Sequence, residues 1–355
     1  MAKIPVAVLG ATGMVGQRFV QLLVNHPWFK LEALTASERS AGKLYAEAAK
    51  WYLHPPMSDE VKDIEVRPTD EKSVEDAKIV FSALPADIAR EVEPAMAEAG
   101  HIVASNASAF RMEDDVPLVI PEVNPDHLAL IDIQRDRRGW DGFIVTNPNC
   151  TTIILVLALK PILDAYGIKR IFVATMQALS GAGYGGVRSM TIQDNVIPFI
   201  AKEEAKTETE SLKILGKLQK NRVIPAPIEV SASCHRVPVL DGHTGAVFLE
   251  MEKRASAKEV AETLVNFKAK PQELKLPTAP AQPVIVEEGE DRPQPRFARF
   301  AGSVPGMAVV VGRIREDPVF KRGVKFVVSG NNAIRGAAGA SVLNAELMKA
   351  EGYLK

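Results

Sequence analysis

The sequence predicts an α/β fold: a parallel sheet in the first part of the chain, followed by an α+β domain built on a mixed sheet. Three observations carry this. Short apolar strand patterns alternate with helical ones through the first third, and parallel strands joined by helices are the arrangement such alternation requires. A glycine-rich turn, Gly10-Ala11-Thr12-Gly13-Met14-Val15-Gly16, stands at the first strand–helix junction. After about residue 168 several strands follow one another without an intervening helix, the pattern of an antiparallel or mixed sheet.

Taken in order, residues 6–9 form an apolar run that ends at Gly10, and residues 14–24 read as a helix, with Val15, Phe19, Leu22 and Leu23 at helical spacing. Strands are expected at 31–34, 78–84 and 101–104, with a helix at 88–99. In the second part, strands are expected at 171–176, 228–239, 246–251, 309–311 and 325–328, and a closing helix at 333–350. Residues 271–295 hold six prolines with acidic residues between them, and read as an extended arm or loop, because proline continues neither a helix nor a central strand. No internal repeat or low-complexity segment is present.

Composition narrows the class. A chain of 355 residues accommodates about two domains. Lysine and arginine total 43 against 44 acids, which gives no global pull toward nucleic acid or an anionic membrane. The apolar run at 153–159 is stopped by Lys160, well short of the about 20 residues of a spanning helix. The opening Met1-Ala2-Lys3-Ile4-Pro5 lacks a signal-peptide pattern, so a cytoplasmic location is expected. Two cysteines make no disulfide framework and are too few for a structural zinc site, so no metal is expected.

The glycine-rich turn reads G-x-x-G-x-x-G. Its backbone can come close to a ligand, and the helix start beyond it offers free N–H groups and a positive dipole end. At the first junction of an alternating chain this indicates a Rossmann-type dinucleotide site. Near the end of the second strand the chain reads Thr35-Ala36-Ser37-Glu38-Arg39-Ser40. Ser37, Arg39 and Ser40 suit a ribose 2′-phosphate and favour NADP, whereas Glu38 would repel that phosphate.

A second motif, Asn147-Pro148-Asn149-Cys150-Thr151-Thr152, precedes an apolar helical run. Pro148 sets the helix start near Cys150, with Thr151 and Thr152 expected as caps. A thiol at a helix N-terminus ionises more readily, which with a nucleotide fold points to covalent catalysis; a packed apolar cysteine is the alternative. Of six histidines, His26 and His54 neighbour proline and tryptophan and look structural, His101 begins a strand, and His127 lies in a polar helix start. His235 and His243 flank an expected β-hairpin turning at Asp241-Gly242, which would set Arg236 and His243 on or beside paired strands.

Together these motifs are specific. In order stand Gly10 to Gly16, Ser105-Asn106-Ala107-Ser108-Ala109-Phe110-Arg111, the Asn147–Thr152 run, Gln177 before Ser180-Gly181-Ala182-Gly183, and Arg236 with six residues between it and His243. The chain resembles the aspartate-β-semialdehyde dehydrogenases, most closely their archaeal and fungal branch, from Ile4 to the Asn332-Ala333-Ile334-Arg335-Gly336-Ala337-Ala338-Gly339 segment. The resemblance implies NADPH-dependent reduction of L-β-aspartyl phosphate to the semialdehyde and phosphate through a cysteine thioester, in lysine or diaminopimelate, threonine, methionine and isoleucine biosynthesis. It makes Cys150 the nucleophile and His243 the acid–base. Gln177 would orient the acyl group and Asn149 would stabilise the oxyanion. Arg236 would grip the α-carboxylate and Glu210 the α-ammonium, with Lys213 and Arg111 on phosphate. It implies a cofactor site of Gly10, Thr12, Gly13, Met14, Val15, Ser37, Arg39, Ser40, Ser82, Ser180, Gly181 and Asn332.

The resemblance also implies a discontinuous NADP-binding domain, 1–149 with 332–355, around a catalytic and oligomerisation domain at 150–331. Partners would be the small-molecule substrate, phosphate and further copies in a homodimer or homotetramer, with no nucleic acid and no membrane. Residue by residue, alternatives stay open: Glu210 and Lys213 as an exposed i,i+3 pair, Arg111 paired to Asp114 or Asp115, and Cys234 as a packed strand residue. The main rival activity is an acyl-CoA reductase like the archaeal malonyl-CoA reductases, which needs no ammonium-binding acid. N-acetyl-γ-glutamyl phosphate reductase, a nucleotide-sensing binding protein and a cysteine hydrolase each leave one of these motifs unexplained.

Overall fold

The computed structural model describes residues 2–354. Six strands form the first sheet: β1 (Ile4–Leu9), β2 (Phe29–Thr35), β3 (Val66–Arg67), β4 (Ile79–Ser82), β5 (Ile102–Ser105) and β6 (Phe143–Thr146). All are parallel, in the order β3-β2-β1-β4-β5-β6, so the sheet reverses its winding between β1 and β4. In such sheets the crevice beyond the strand ends at that point is where ligands bind. Alternation sets the layers. Val6 and Val8 face one side, under the Met14–Leu23 helix and the closing Gly339–Ala350 helix, whereas Ala7 and Leu9 face the other, under the Ala86–Glu98 helix.

The second sheet is mixed, as expected. Its strands are β7 (Ile168–Gln177), β10 (Glu229–Arg236), β11 (His243–Met251), β12 (Val284–Glu287), β13 (Val309–Asp317) and β14 (Gly323–Gly330); β8 (Lys217–Gln219) and β9 (Arg222–Ile224) make a separate two-stranded ribbon. Its order is β10-β7-β11-β14-β13-β12. One face is covered by the Cys150–Tyr166 and Ala257–Val265 helices. The other leaves Phe172 49% and Phe248 37% exposed, directly opposite one another across β7 and β11.

Two expectations change. The hairpin through Asp241-Gly242 is absent: β7 lies between β10 and β11, parallel to the first and antiparallel to the second. Residues 237–242 therefore hop across the end of β7, tied down by Leu179 and Ser180 N–H groups donating to the Val239 and Leu240 carbonyls. The proline-rich stretch is only partly an arm. It contains β12, an edge strand free of proline that starts directly after Pro283, and Thr278 donates to the buried Glu346 of the closing helix.

Candidate active site

The nucleophile motif lies where the chain leaves β6 for the second domain. Asn149 is the cap: its Oδ1 accepts the Thr151 and Thr152 N–H groups at 2.9 and 3.2 Å. The threonines thus donate from their backbone and do not cap. Cys150 is the first helical residue, and seven apolar residues from Ile153 to Leu159 bury the helix behind it. The hop from β10 to β11 delivers His243 opposite, with Nε2 3.2 Å from Cys150 Sγ. Among the histidines, this distance singles out His243. His26 is bound to Glu346, His101 to the Ala77 carbonyl, His127 to Asn124 and His235 to the Thr175 carbonyl.

The His243 ring has one fixed tautomer. Its Nδ1 accepts the Ala178 N–H at 3.1 Å, so the neutral ring carries its proton on Nε2 and presents it to sulfur. Burial, with Arg236 adding to it, lowers the imidazole to about 3, so it stays neutral through the physiological range. Burial pushes the Cys150 thiol up to about 12, and Glu203 adds to that, against Arg111 and Arg236. The Nε2–H aimed at sulfur works with the two arginines to favour the thiolate.

Charged residues surround this pair. Glu210 is buried, accepting a hydrogen bond from Arg111 Nη1 at 3.0 Å on one oxygen and from the Asn149 backbone N–H at 2.6 Å on the other. It forms no exposed pair, and Arg111 bonds neither Asp114 nor Asp115; the latter is held by Arg138. Arg236 Nη1 donates to the Ala178 carbonyl at 2.6 Å. Lys213 departs from its expected place: its Nζ donates to the carbonyls of Arg111, Glu113 and Val116, which uses all three donors. Lys213 therefore braces the Arg111 loop from behind. Asn149 donates one amide N–H to Glu203 Oε1 at 2.7 Å, and its second N–H remains beside the cavity that it lines with Cys150. Gln177 is buried and donates to Thr175.

Beside Cys150 opens a cavity of about 270 Å³. Met14, Val15, Asn149, Ser180, Gly181, Arg111 and Asn332 all line it, so sequence-distant motifs converge there. Lys206 lines it as well. The sequence reading missed Lys206 and Glu203, although Glu203 precedes Glu210 by two helical turns and so shares its face. A wider groove of about 830 Å³, near Leu163, Leu215 and Pro225, includes no cysteine or histidine in its lining. The chemistry belongs to the smaller cavity.

The glycine loop fits a dinucleotide. A Cβ on Gly16 would stand 2.1 Å from the Gly10 carbonyl oxygen, so only glycine lets the helix rest on the loop. Gly13 leads into the Met14–Leu23 helix, which has no side-chain cap and no acid in its first turn, and this leaves its N–H groups for a phosphate. Thr12 is fixed through its carbonyl by Gln17, which Tyr184 of the second domain holds in turn. At the other end Asn332 donates to Ser180 Oγ and accepts the Gly242 N–H. Ser37 and Arg39 are exposed beyond β2, with Ser40 half-buried and Glu38 equally exposed. Ser82 is fully buried beside Glu93 and lies outside the cavity lining.

Behind Cys150, residues Ile334–Ala338 form a π-helical turn, closed by the Gly336 N–H donating to the Asn331 carbonyl. Gly336 abuts the nucleophile so closely that a Cβ there would lie 2.6 Å from the Cys150 Cβ.

Two family models match the chain: the semialdehyde dehydrogenase NAD-binding domain over residues 5–131 and the semialdehyde dehydrogenase dimerisation domain over residues 159–335. The chain belongs to the semialdehyde dehydrogenase family. Within reach of that family, it is 61% identical to an aspartate-semialdehyde dehydrogenase of Methanothermobacter thermautotrophicus, over 97% of this chain and 98% of the relative. It is 43% identical to a malonyl CoA reductase (NADP) of Metallosphaera sedula, over 98% and 97% of the two chains. Among solved structures, the aspartate semialdehyde dehydrogenase of Candida albicans with NADP superposes with a TM-score of 0.91 at 41% identity, over 99% of both chains.

Proposed function

We propose that this semialdehyde dehydrogenase reduces L-β-aspartyl phosphate to L-aspartate-β-semialdehyde and phosphate with NADPH. The observation that carries the chemistry is the Cys150–His243 pair, 3.2 Å apart, with Cys150 in the wall of a cavity that Met14 and Val15 of the glycine-rich turn also line. In this reading Cys150 attacks the acyl carbon as the thiolate, held by the His243 Nε2–H and the two arginines, the bond to the phosphate oxygen breaks, phosphate leaves with the electron pair, and a thioester forms on sulfur. Bound NADPH supplies the hydride that takes the thioester to the aldehyde level. The resulting oxyanion then reforms the carbonyl, the carbon–sulfur bond breaks, and the returning thiolate accepts a hydrogen bond from the His243 Nε2–H as the aldehyde leaves.

Arg236 offers its remaining N–H groups to the substrate carboxylate, in the planar fork suited to it. Glu210 takes the ammonium in exchange for part of its hold on Arg111. Arg111 and Lys206 present positive charge to the phosphoryl group from the cavity wall. Gln177 orients the acyl group from the end of β7. The helix start at Gly13, Met14 and Val15 holds the pyrophosphate, Ser37, Arg39 and Ser40 hold the 2′-phosphate, and Ser180, Gly181 and Asn332 flank the nicotinamide.

The division into a cofactor domain of 1–149 with 332–355 and a catalytic domain of 150–331 belongs to this reading. So does a homodimer or homotetramer joined through the second sheet's open face, where Phe172 and Phe248 are exposed. Among the described residues no helix is long and apolar enough to cross a membrane, and we place the enzyme in the cytoplasm. The test is reduced-nicotinamide formation from L-aspartate-β-semialdehyde with phosphate, beside malonate semialdehyde with CoA. Phosphate-dependent turnover in the first alone supports the assignment; turnover in the second alone refutes it.

A further inference from the structure

Glu203 takes no part in the chemistry above, yet it is buried within hydrogen-bond reach of the nucleophile's helix. Its Oε1 accepts the Asn149 amide at 2.7 Å and the Thr151 hydroxyl at 3.4 Å. Its Oε2 faces Lys206 Nζ at 3.8 Å, too far for a hydrogen bond. Glu210, two turns on, holds the Asn149 backbone N–H. Two carboxylates of one helix thus fix the main chain and the side chain of the residue before Cys150.

A second carboxylate beside a thiol nucleophile is electrostatically adverse, because it opposes the thiolate. Its hydrogen bonds explain where it is, and its charge has a consequence. We propose that Glu203 is a positioning residue for the nucleophile: it locks Asn149 as the cap of the Cys150 helix and lays a negative charge beside the thiol, with Lys206 as its partial counterweight. This rests on Cys150 being the nucleophile and on no particular substrate. The thiol also faces Arg111 and Arg236, which favour its ionisation, and the Nε2–H of His243. Glu203 sets itself against these, so the free enzyme keeps a thiol resistant to stray electrophiles. Anion binding at Lys206 adds no new demand on the cap, because Asn149 is held by hydrogen bonds that do not involve the lysine.

The experiment is the pH profile of Cys150 alkylation by iodoacetamide, read at the Cys150 peptide by mass spectrometry, together with kcat and the cofactor KM. Glu203→Gln keeps an acceptor for Asn149 and removes the charge. Its alkylation midpoint should fall by roughly one unit, about tenfold faster labelling at fixed pH, with kcat down no more than about threefold. Lys206→Met should move the midpoint the opposite way. Glu203→Ala loses the clamp as well, and kcat should fall on the order of 10–100-fold with the cofactor KM held. Coincident alkylation profiles for wild type, E203Q and K206M overturn the proposal. So do equal losses of kcat in E203Q and E203A. If E203A does not fold, the two alkylation shifts of opposite sign decide.

Discussion

Gly336→Ala tests whether the π-helical turn sets the position of the nucleophile. The added Cβ would lie 2.6 Å from the Cys150 Cβ and 3.0 Å from its Cα. Non-bonded carbons rest at about 3.5–4.0 Å, so the two segments must separate by about 1 Å. The Cys150 helix cannot retreat, because its next turns are buried from Ile153 to Leu159. The turn is itself pinned by Asn331, whose Oδ1 accepts the Ala333 and Ile334 N–H groups. Relief therefore falls at Cys150 and lengthens the 3.2 Å contact with His243. A displacement of that size in a catalytic pair costs on the order of 100-fold in kcat, and the overpacking costs about 1–3 kcal/mol of stability. Steady-state turnover with a urea unfolding curve measures both. A variant with kcat within about twofold of wild type would show that the turn yields without moving Cys150, and the reasoning would fail.

Arg39→Ala should weaken NADPH binding far more than NADH binding in parallel fluorescence titrations; equal effects on both remove the 2′-phosphate assignment. Arg335 and Glu122 form a fully buried bidentate pair, so Arg335→Met strands the carboxylate and should destabilise by about 3–5 kcal/mol; a denaturation midpoint matching wild type refutes this. Burial raises the Glu93 carboxyl from 4.5 to about 7 in the folded chain. The folded state then binds this proton more tightly than the unfolded state, so the contribution is full below the unfolded value of 4.5 and is lost as pH rises through about 7. The loss is on the order of 3 kcal/mol, and Glu93→Gln should gain on wild type by that order between about pH 4.5 and pH 8. A difference between the two proteins that does not change with pH contradicts it.

Much of this was legible in the sequence, for physical reasons. Alternation places β1, β4 and β5 within a few residues, since strands buried on both faces must be apolar throughout. Pro148, immediately before the Asn149 cap, marks the start of the Cys150 helix, although proline is not excluded from its interior, where Pro161 sits. What escaped depends on tertiary placement. Asp241-Gly242 has the chemistry of a tight turn, but whether the flanking strands pair with each other or around a third strand is decided by the sheet. Helical spacing puts Lys213 on the face of Glu210 and Lys206 on that of Glu203, and cannot say which lysine points at carbonyls and which at open space. The capping role of Asn149 was there to read, since asparagine is a stronger N-cap than threonine and precedes the helix by one residue.

The return of the chain's last helix to its first sheet links cofactor binding to the order of synthesis. All six parallel strands have been made by Thr146, yet the face bearing Val6, Val8, Phe81 and Val145 is covered in part by Gly339–Ala350, about 190 residues later. A nascent chain must hold that apolar face through the making of the whole catalytic domain. A product stopped before Gly339 has every residue of the glycine loop and an unfinished core beneath it. Retention on a nucleotide matrix should therefore separate chains that carry the last helix from those stopped before it, although none of the missing residues lies in the loop.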